Sequence, residues 1–246
     1  MHHIRCSEIW GGIRDADVDM CTSSICASLY SSSCDGGKGG DVYYLSVCDS
    51  DLLTRIAVAD VAGHGKKVSD VSQWLFDSLK QRMNSAEGHK VLEDLNRLAD
   101  EYGYKALTTA TVVAYYLSDS KLYFAHAGHP PLLVRRQTDT EWHPAEVEAA
   151  SGTADMPLGV DPAAPYTQQV MAFSPGDRVF LYTDGVTEAP DAAAQRFGAQ
   201  RLLDVLNKAA GEDLPGLKDA VLEALRKHSG GSLGHDDVTL MAIEVT

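Results

Sequence analysis

The chain has 246 residues, 44% of them hydrophobic, and sets 35 Asp and Glu against 21 Lys and Arg, a formal charge of −14. That length suits one two-sheet domain with a substantial core, and the acidic balance argues against a nucleic-acid partner, which needs a basic face to neutralise phosphates. No apolar run approaches the roughly 20 residues of a membrane span, and the opening MHHIRCSEIWGG lacks the apolar stretch of a signal peptide, so a cytoplasmic protein is expected. The five cysteines, Cys6, Cys21, Cys26, Cys34 and Cys48, fit no zinc spacing and are odd in number. They are expected to be reduced thiols, as in a cytosolic protein.

In chain order, ICASLY (25–30) and DVYYLSV (41–47) read as strands separated by the turn-forming SSSCDGGKGG. TRIAVAD (54–60) reads as a third strand, hairpin-paired with the second across CDSD. After GHG the period changes. Val68, Val71, Trp74, Leu75, Leu79 and Met83 recur at helical spacing, and a second helix carries Val91, Leu92, Leu95, Leu98 and Tyr102 and ends at Gly103. Strands return as a hairpin, TTATVVAYYL (108–117) and KLYFAHAG (121–128), followed by PPLLVRR (130–136). Residues 137–165 are polar and irregular, either a recognition insert or a plain loop. Further strands are expected at 166–173, 178–185 and 236–245, and helices at 198–209 and 214–228.

Helices thus come in adjacent pairs and strands come as hairpins. That pattern differs from the βαβ alternation of a parallel sheet. It predicts an α+β fold, a four-layer α-β-β-α sandwich of two mainly antiparallel sheets flanked by helix pairs. The whole of 1–246 reads as one domain.

Four acids recur at strand ends beside glycine: Asp41 in GGD, Asp60 in ADVAGHG, Asp184 in YTDG and Asp236 in GHDDVT. Each one alone is ordinary turn chemistry. Brought together at one end of a sandwich, the four carboxylates would repel one another unless cations neutralised them. Oxygen-only ligands favour Mg²⁺ or Mn²⁺, and neighbouring glycines let a phosphate approach. The arrangement suits two-metal hydrolysis of a phosphate ester, with ions about 3.5–4 Å apart.

GGDVYY, VADVAGHG, TTATVVAYY, FAHAGHPPLLVRR, MPLGV, SPGDRVFLYTDGVTEA, RFG and GHDDVTLMAIEV occur in that order. Together they resemble the PPM family of metal-dependent serine/threonine phosphatases, in the bacterial branch typified by the stage II sporulation protein E phosphatase domain. The resemblance covers about residues 24–246. It implies two Mn²⁺ or Mg²⁺ ions bridged by Asp60. Asp184 and Asp236 complete one ion, while Asp41 and the backbone carbonyl of Val61 serve the other. Asp60, Asp184 and Asp236 are thereby the catalytic set, and Asp237 supports them without ligating. A metal-bound hydroxide would attack phosphorus directly, with no phospho-enzyme.

The implied substrate is a phosphoserine or phosphothreonine on a bacterial regulator such as an anti-sigma-factor antagonist. The helix pair after Asp60 resembles a switch biased by an activating partner. With the chain taken up by the phosphatase domain, no fused sensor is expected. Two other readings come from different classes: a catalytically weak module that binds a phosphoprotein, and a phosphatase of small esters. His64 lies four residues after Asp60, where eukaryotic relatives place a histidine two after, so a loop-shaping role is expected over a general acid. Those relatives hold phosphate with an arginine. Arg14 and Arg55 match no such motif, and Arg135 and Arg136 read as a solvated strand edge. His126 and His129 read as loop packing, and Glu188 as a neighbour of Asp184.

Overall fold

The computed structural model describes residues 2–48, 51–63, 66–83, 87–101, 107–147 and 155–246. In chain order the elements are β1 (His2–His3), β2 (Ile9–Arg14), β3 (Ala16–Cys21), β4 (Ile25–Ser32), β5 (Lys38–Val47), β6 (Leu53–Val61), α1 (Lys66–Arg82) and α2 (Gly88–Glu101). There follow β7 (Thr108–Tyr116), β8 (Lys121–Ala127), β9 (Leu133–Arg135), β10 (His143–Pro144), β11 (Gln169–Ala172), β12 (Arg178–Tyr182), α3 (Asp184–Thr187), α4 (Ala199–Lys208), α5 (Leu214–His228) and β13 (Val238–Val245). One sheet has the order β1-β3-β4-β13-β12-β9-β10 and the other β11-β8-β7-β6-β5-β2. The β1–β3 pair is parallel, and the long ladders are antiparallel.

Side-chain alternation explains why both faces of each sheet are buried. On β6, Ile56 and Val58 point between the sheets, while Ala57, Ala59 and Val61 point at the helices. On β13, Met241, Ile243 and Val245 point between the sheets, and Val238, Leu240 and Ala242 point outward under α4 and α5. Strands buried on both faces read as continuous apolar runs. Helix α1 sets Val68, Leu75 and Leu79 against the six-stranded sheet, beside Val91, Leu92 and Leu95 of α2. Leu202 and Leu206 of α4 and Leu217, Val221 and Leu225 of α5 cover the other sheet. Three apolar layers therefore separate four structural layers, and the expected α-β-β-α sandwich is the observed one.

Several local expectations change. The N-terminal strands β2 and β3 add an edge to each sheet, ahead of the first predicted strand. The run 178–185 splits: the strand stops at Tyr182, and Asp184–Thr187 form a helical turn. Much of 137–165 is fastened down. Trp142 enters the core under α4 while its backbone N–H donates to Asn207 Oδ1 at 2.6 Å, and Asn96 bonds both the Asp161 carbonyl at 2.7 Å and the Gly159 N–H at 2.9 Å. Cys21 and Cys26 form a disulfide, contrary to the expectation of thiols throughout, because the β3–β4 register sets them directly opposite each other. Cys6, Cys34 and Cys48 stand outside that disulfide. The predicted end of the second helix at Tyr102–Gly103 lies outside the described residues, as does His64.

Candidate active site

At one end of the sandwich the inter-sheet face changes from apolar to polar without changing register. The face that carries Tyr43 and Leu45 on β5 ends in Asp41, and the face that carries Ile56 and Val58 on β6 ends in Asp60. Antiparallel pairing sets Asp41 opposite Asp60, and Asp60 opposite Thr109 of β7. Thr111 faces His126 in the next ladder. From the other sheet come Ser31, Thr239 and Thr183, where β4, β13 and β12 continue past their apolar residues. Ser31 and Thr239 share a hydroxyl–hydroxyl bond of 2.8 Å.

Asp41 is only 3% exposed. Its Oδ2 accepts a 2.9 Å bond from the Thr183 hydroxyl, which in turn accepts the Thr239 N–H at 3.0 Å. Thr183 is the N-cap of the α3 turn, yet its side chain makes no capping bond; the hydroxyl serves Asp41 instead. Asp41 Oδ1 is buried and has no hydrogen-bond partner among the described residues. Burial first, and then the Asp60 charge, raise the Asp41 carboxyl well above the usual carboxylate range. Burial followed by Asp184, Asp236 and Asp237 pushes Asp60 up to about 7. Asp184 is raised by burial, by Asp236 and by Glu188, against the pull of the Gly185 N–H and Arg196.

Asp237, 3% exposed, acts as the clamp of this end. Its Oδ1 accepts the Cys34 N–H at 2.8 Å, its Oδ2 accepts the Gly40 N–H, and its own N–H bonds Asp236 Oδ1 at 2.9 Å. It thus ties the β4–β5 loop, just ahead of Asp41, to the start of β13. The glycines are required by close approach. A Cβ on Gly40 would lie 2.7 Å from the Val61 carbonyl oxygen, and one on Gly185 would lie 1.9 Å from the Asp237 carbonyl oxygen. The Ser72 hydroxyl of α1 bonds the Gly40 carbonyl at 3.1 Å, so the first helix touches the backbone next to Asp41.

His129 Nδ1 lies 2.8 Å from the Thr109 hydroxyl, and His126 Nδ1 lies 2.8 Å from the Thr111 hydroxyl. Burial lowers His129 to about 3 and His126 to about 4, so both are neutral packing groups at pH 7. Glu188 pairs with Arg196 at 2.5 Å, and its charge helps to raise the Asp184 carboxyl. Of the arginines, Arg55 sits five positions before Asp60 on β6, about 17 Å away along an extended strand. Arg135 and Arg136 lie where β9 meets the start of β12, away from Thr183. Arg136 is no solvated edge: it bonds Asp177 at 3.1 Å and stacks 4.5 Å over the Phe173 ring. Arg14 pairs in register with Lys38, at the Asp41 end of β5.

The fold therefore gathers Asp41, Asp60, Asp184 and Asp236 at one end, near enough for these acids to raise one another's pKa. Among the described residues, no three His, Cys, Asp or Glu side chains already stand close enough to hold a metal ion. The donor set nevertheless fits a hard divalent cation. It is all oxygen, one buried carboxylate oxygen lacks a partner, and Gly40 leaves the Val61 carbonyl uncovered. Sequence reasoning missed Thr183, Thr239 and Thr109. Their one signal was the period-two position of a hydroxyl on the face that also carries the acids.

The family model described as stage II sporulation protein E (SpoIIE) matches residues 50–246. The phosphoserine phosphatase RsbU of Bacillus subtilis is 27% identical over 207 residues, spanning 82% of this chain and 58% of RsbU. Protein IcfG of Synechocystis is 29% identical over 149 residues, 59% of this chain and 22% of IcfG. The chain therefore spans less than two thirds of either relative. Among solved structures, the RsbU and RsbW domains of Rv1364c from Mycobacterium tuberculosis superpose with a TM-score of 0.75 at 21% identity, over 95% of this chain and 62% of that one, a likeness of fold. With the model match running from before β6 through β13, and with the acids of GGD, VAD, YTDG and GHDD meeting at one end of the sandwich, the chain belongs to the SpoIIE branch of the PPM serine/threonine phosphatases.

Proposed function

We propose that this protein is a divalent-metal-dependent phosphatase of phosphoserine or phosphothreonine on a regulatory protein. The observation that carries the reading is the buried Asp41–Asp60 pair, register-matched and facing Asp184 and Asp236, with Asp41 Oδ1 left without a partner. Stability alone gives no reason to bury two adjacent carboxylates, whereas a cation requires them.

In this reading Asp60, Asp184 and Asp236 would hold one Mn²⁺ or Mg²⁺, and Asp60, Asp41 and the Val61 carbonyl would hold another. When bound, the ions supply Lewis acidity towards water and towards the phosphoryl oxygens. The chain's own part is positional. Thr183 orients Asp41, Asp237 fixes Gly40 and hence the entry to β5, and Gly40 keeps the Val61 carbonyl open. His129 and His126, both neutral, hold Thr109, opposite Asp60, and Thr111 next to it on the same face, without adding positive charge. Arg14, at the Asp41 end of its strand, is the arginine best placed to meet a phosphate. The Ser72–Gly40 bond gives an activating partner acting on α1 a direct route to the site. The phosphoserine preference draws on the likeness to RsbU, and an anti-sigma-factor antagonist is the first substrate to try.

The test is hydrolysis of p-nitrophenyl phosphate and a phosphoserine peptide with Mn²⁺, with Mg²⁺ and with chelator, with Asp60→Asn alongside. Metal-dependent turnover lost in Asp60→Asn is expected. Turnover that survives both chelator and Asp60→Asn would overturn the assignment.

A further inference from the structure

The segment AGHPPL, 127–132, carries the chain from one sheet to the other. β8 lies in the six-stranded sheet and β9 in the seven-stranded one, where it pairs with β12. His129 stands in the middle of that crossing and is only 8% exposed. The backbone on either side of it is stiff. Gly128 has a φ of +62°, and a Cβ there would lie 2.4 Å from Pro157 Cγ. Its N–H is held by the Asp155 carbonyl at 2.7 Å. Pro130 and Pro131 follow; each fixes its own φ, and Pro130 keeps His129 out of the helical region. A side chain bracketed in this way is aimed more tightly than packing alone requires.

The ring faces both halves of the site. Nδ1 is 2.8 Å from the hydroxyl of Thr109, which sits opposite Asp60 in the β6–β7 ladder. On the other side lies β12. Its register sets Phe180 against Leu133, and followed two residues further it leads the crossing segment to Tyr182, the residue before Thr183 and Asp184. Burial and His126 lower the pKa of the His129 ring, and the Tyr182 main chain opposes them, which only its carbonyl can do. Nε2 lies against that carbonyl without a hydrogen bond of good geometry to any described residue. With a carbonyl as neighbour, Nε2 carries the proton of the neutral ring, and Nδ1 accepts from Thr109. His126 supplies the contrast. It makes the same 2.8 Å bond to a threonine, Thr111, but that bond joins adjacent strands of one sheet.

We infer that His129 is a positioning residue: a strut between the sheets that holds Thr109, and with it the Asp60 end of β6, at a set distance from the Tyr182–Asp184 segment. The inference rests on the phosphatase reading and deepens it. Asp60 comes from the six-stranded sheet, whereas Asp184 and Asp236 stand beside β12 and β13 of the seven-stranded one. A cation shared by these acids needs the two sheets held at one spacing. On the Asp41 side, the Thr183 hydroxyl and Asp237 make the connection between sheets. On the Asp60 side, His129 makes it. An apolar side chain would fill this layer at less cost than a buried imidazole, so the polar ring is explained by what its two nitrogens face.

The experiment measures Mn²⁺ binding by electron paramagnetic resonance and stability by urea unfolding in chelator. The proteins are wild type, His129→Asn, Thr109→Val, the double variant and His126→Asn. His129→Asn keeps an acceptor near the Nδ1 position but cannot reach Tyr182, and Thr109→Val cuts the other end of the strut. Each should weaken Mn²⁺ binding about tenfold, the scale for a group that orients a metal ligand. The double variant should bind about as weakly as the worse single one, because both changes break one connection. His126→Asn should cost similar stability and move Mn²⁺ affinity several-fold less. Thr109→Val keeps its shape and carries the test alone if His129→Asn does not fold. Affinity within about twofold of wild type in either folded single variant would overturn the strut, as would equal losses in His129→Asn and His126→Asn or fully additive losses in the double variant. Those results leave the phosphatase reading standing where wild type binds Mn²⁺ and hydrolyses p-nitrophenyl phosphate. A wild type that does neither would overturn that reading, and the strut with it.

Discussion

Thr183→Val separates the buried-acid geometry from any general effect of the site. Valine keeps the β-branched shape but removes the hydroxyl that donates to Asp41 Oδ2 and accepts the Thr239 N–H. A hydrogen bond to a charged acceptor contributes about 1.5–3 kcal/mol, and a buried N–H left without a partner costs about 1–3 kcal/mol. The two losses share one hydroxyl and relax together, so about 2–4 kcal/mol is expected with Asp41 ionised. Without metal, burial and Asp60 favour the protonated Asp41 carboxyl. Its bond to Thr183 is then a neutral one, contributing about 0.5–1.5 kcal/mol. The substitution should therefore destabilise the Mn²⁺-loaded protein more than the chelated protein, and should weaken Mn²⁺ binding by the difference. Urea unfolding in Mn²⁺ and in chelator reads both quantities. Thr183→Ser, which keeps the hydroxyl, should recover most of the loss. A valine variant within about 0.5 kcal/mol of wild type in both conditions would refute the reasoning.

Asp60→Asn should abolish metal-dependent turnover while stabilising the chelated fold at pH 8. Asp60 titrates near 7 in the fold against an ordinary value of 3.8. Between those values the folded state keeps a proton that the unfolded chain has released, so wild-type stability falls as pH rises through that window, by up to about 4 kcal/mol. Equal chelated stabilities for the two proteins at pH 8 would contradict this. The buried histidines have the opposite sign. Their folded values, about 3 and about 4, lie below the ordinary 6.5, so their contribution is complete above 6.5 and is lost as pH falls towards 4. By pH 5 the loss is about 2 kcal/mol per histidine, and His129→Asn should remove part of that slope in urea titrations at pH 7 and pH 5; a slope unchanged by the substitution would count against it. Gly185→Ala puts a Cβ 1.9 Å from the Asp237 carbonyl oxygen. It should cost at least about 3 kcal/mol or prevent folding, and a melting temperature within 2 °C of wild type would show that this approach is not obligatory.

The strands of the two sheets were legible because both-face burial leaves runs such as RIAVAD and DVTLMAIEV, and the helix pairs because Val68, Leu75 and Leu79 keep one face apolar. The acids were legible as well, since an aspartate beside glycine at the end of such a run stands out. What orders the acids was not. Threonine is an ordinary strand residue, so nothing in YTDG distinguishes a hydroxyl that caps α3 from one that turns to Asp41 across the sandwich. Asp236 and Asp237 are adjacent in sequence and differ only in which way the chain points them as it enters β13. The first strands escaped for another reason. β2 carries two consecutive glycines and β3 alternates acids with Ala16, Val18 and Met20, so neither makes an apolar run. The Cys21–Cys26 disulfide follows from β3–β4 register, which cysteine counting does not reach.

The inter-sheet layer explains why a site of this kind sits where it does. Along β5, β6, β7, β12 and β13 the inward positions stay apolar for most of their length and turn polar together at one end. A sandwich can tolerate that only where the polar groups satisfy one another or meet something from outside. Ser31, Thr239, Thr183 and the two histidine–threonine pairs bond one another, leaving the His129 Nε2 without a hydrogen-bond partner among the described residues. Asp41 and Asp60 do not: burial and Asp60 raise the cost of ionising Asp41, burial and the acids Asp184, Asp236 and Asp237 raise that of Asp60, and one oxygen of Asp41 has no partner among the described residues. Three apolar layers offset that cost and hold two acids side by side that would otherwise separate. Relief of that repulsion is one part of the free energy with which the site would bind a cation, so metal binding and stability at this end of the molecule are linked, and a variant that moves Asp41, Asp60 or the threonine between the sheets should change both.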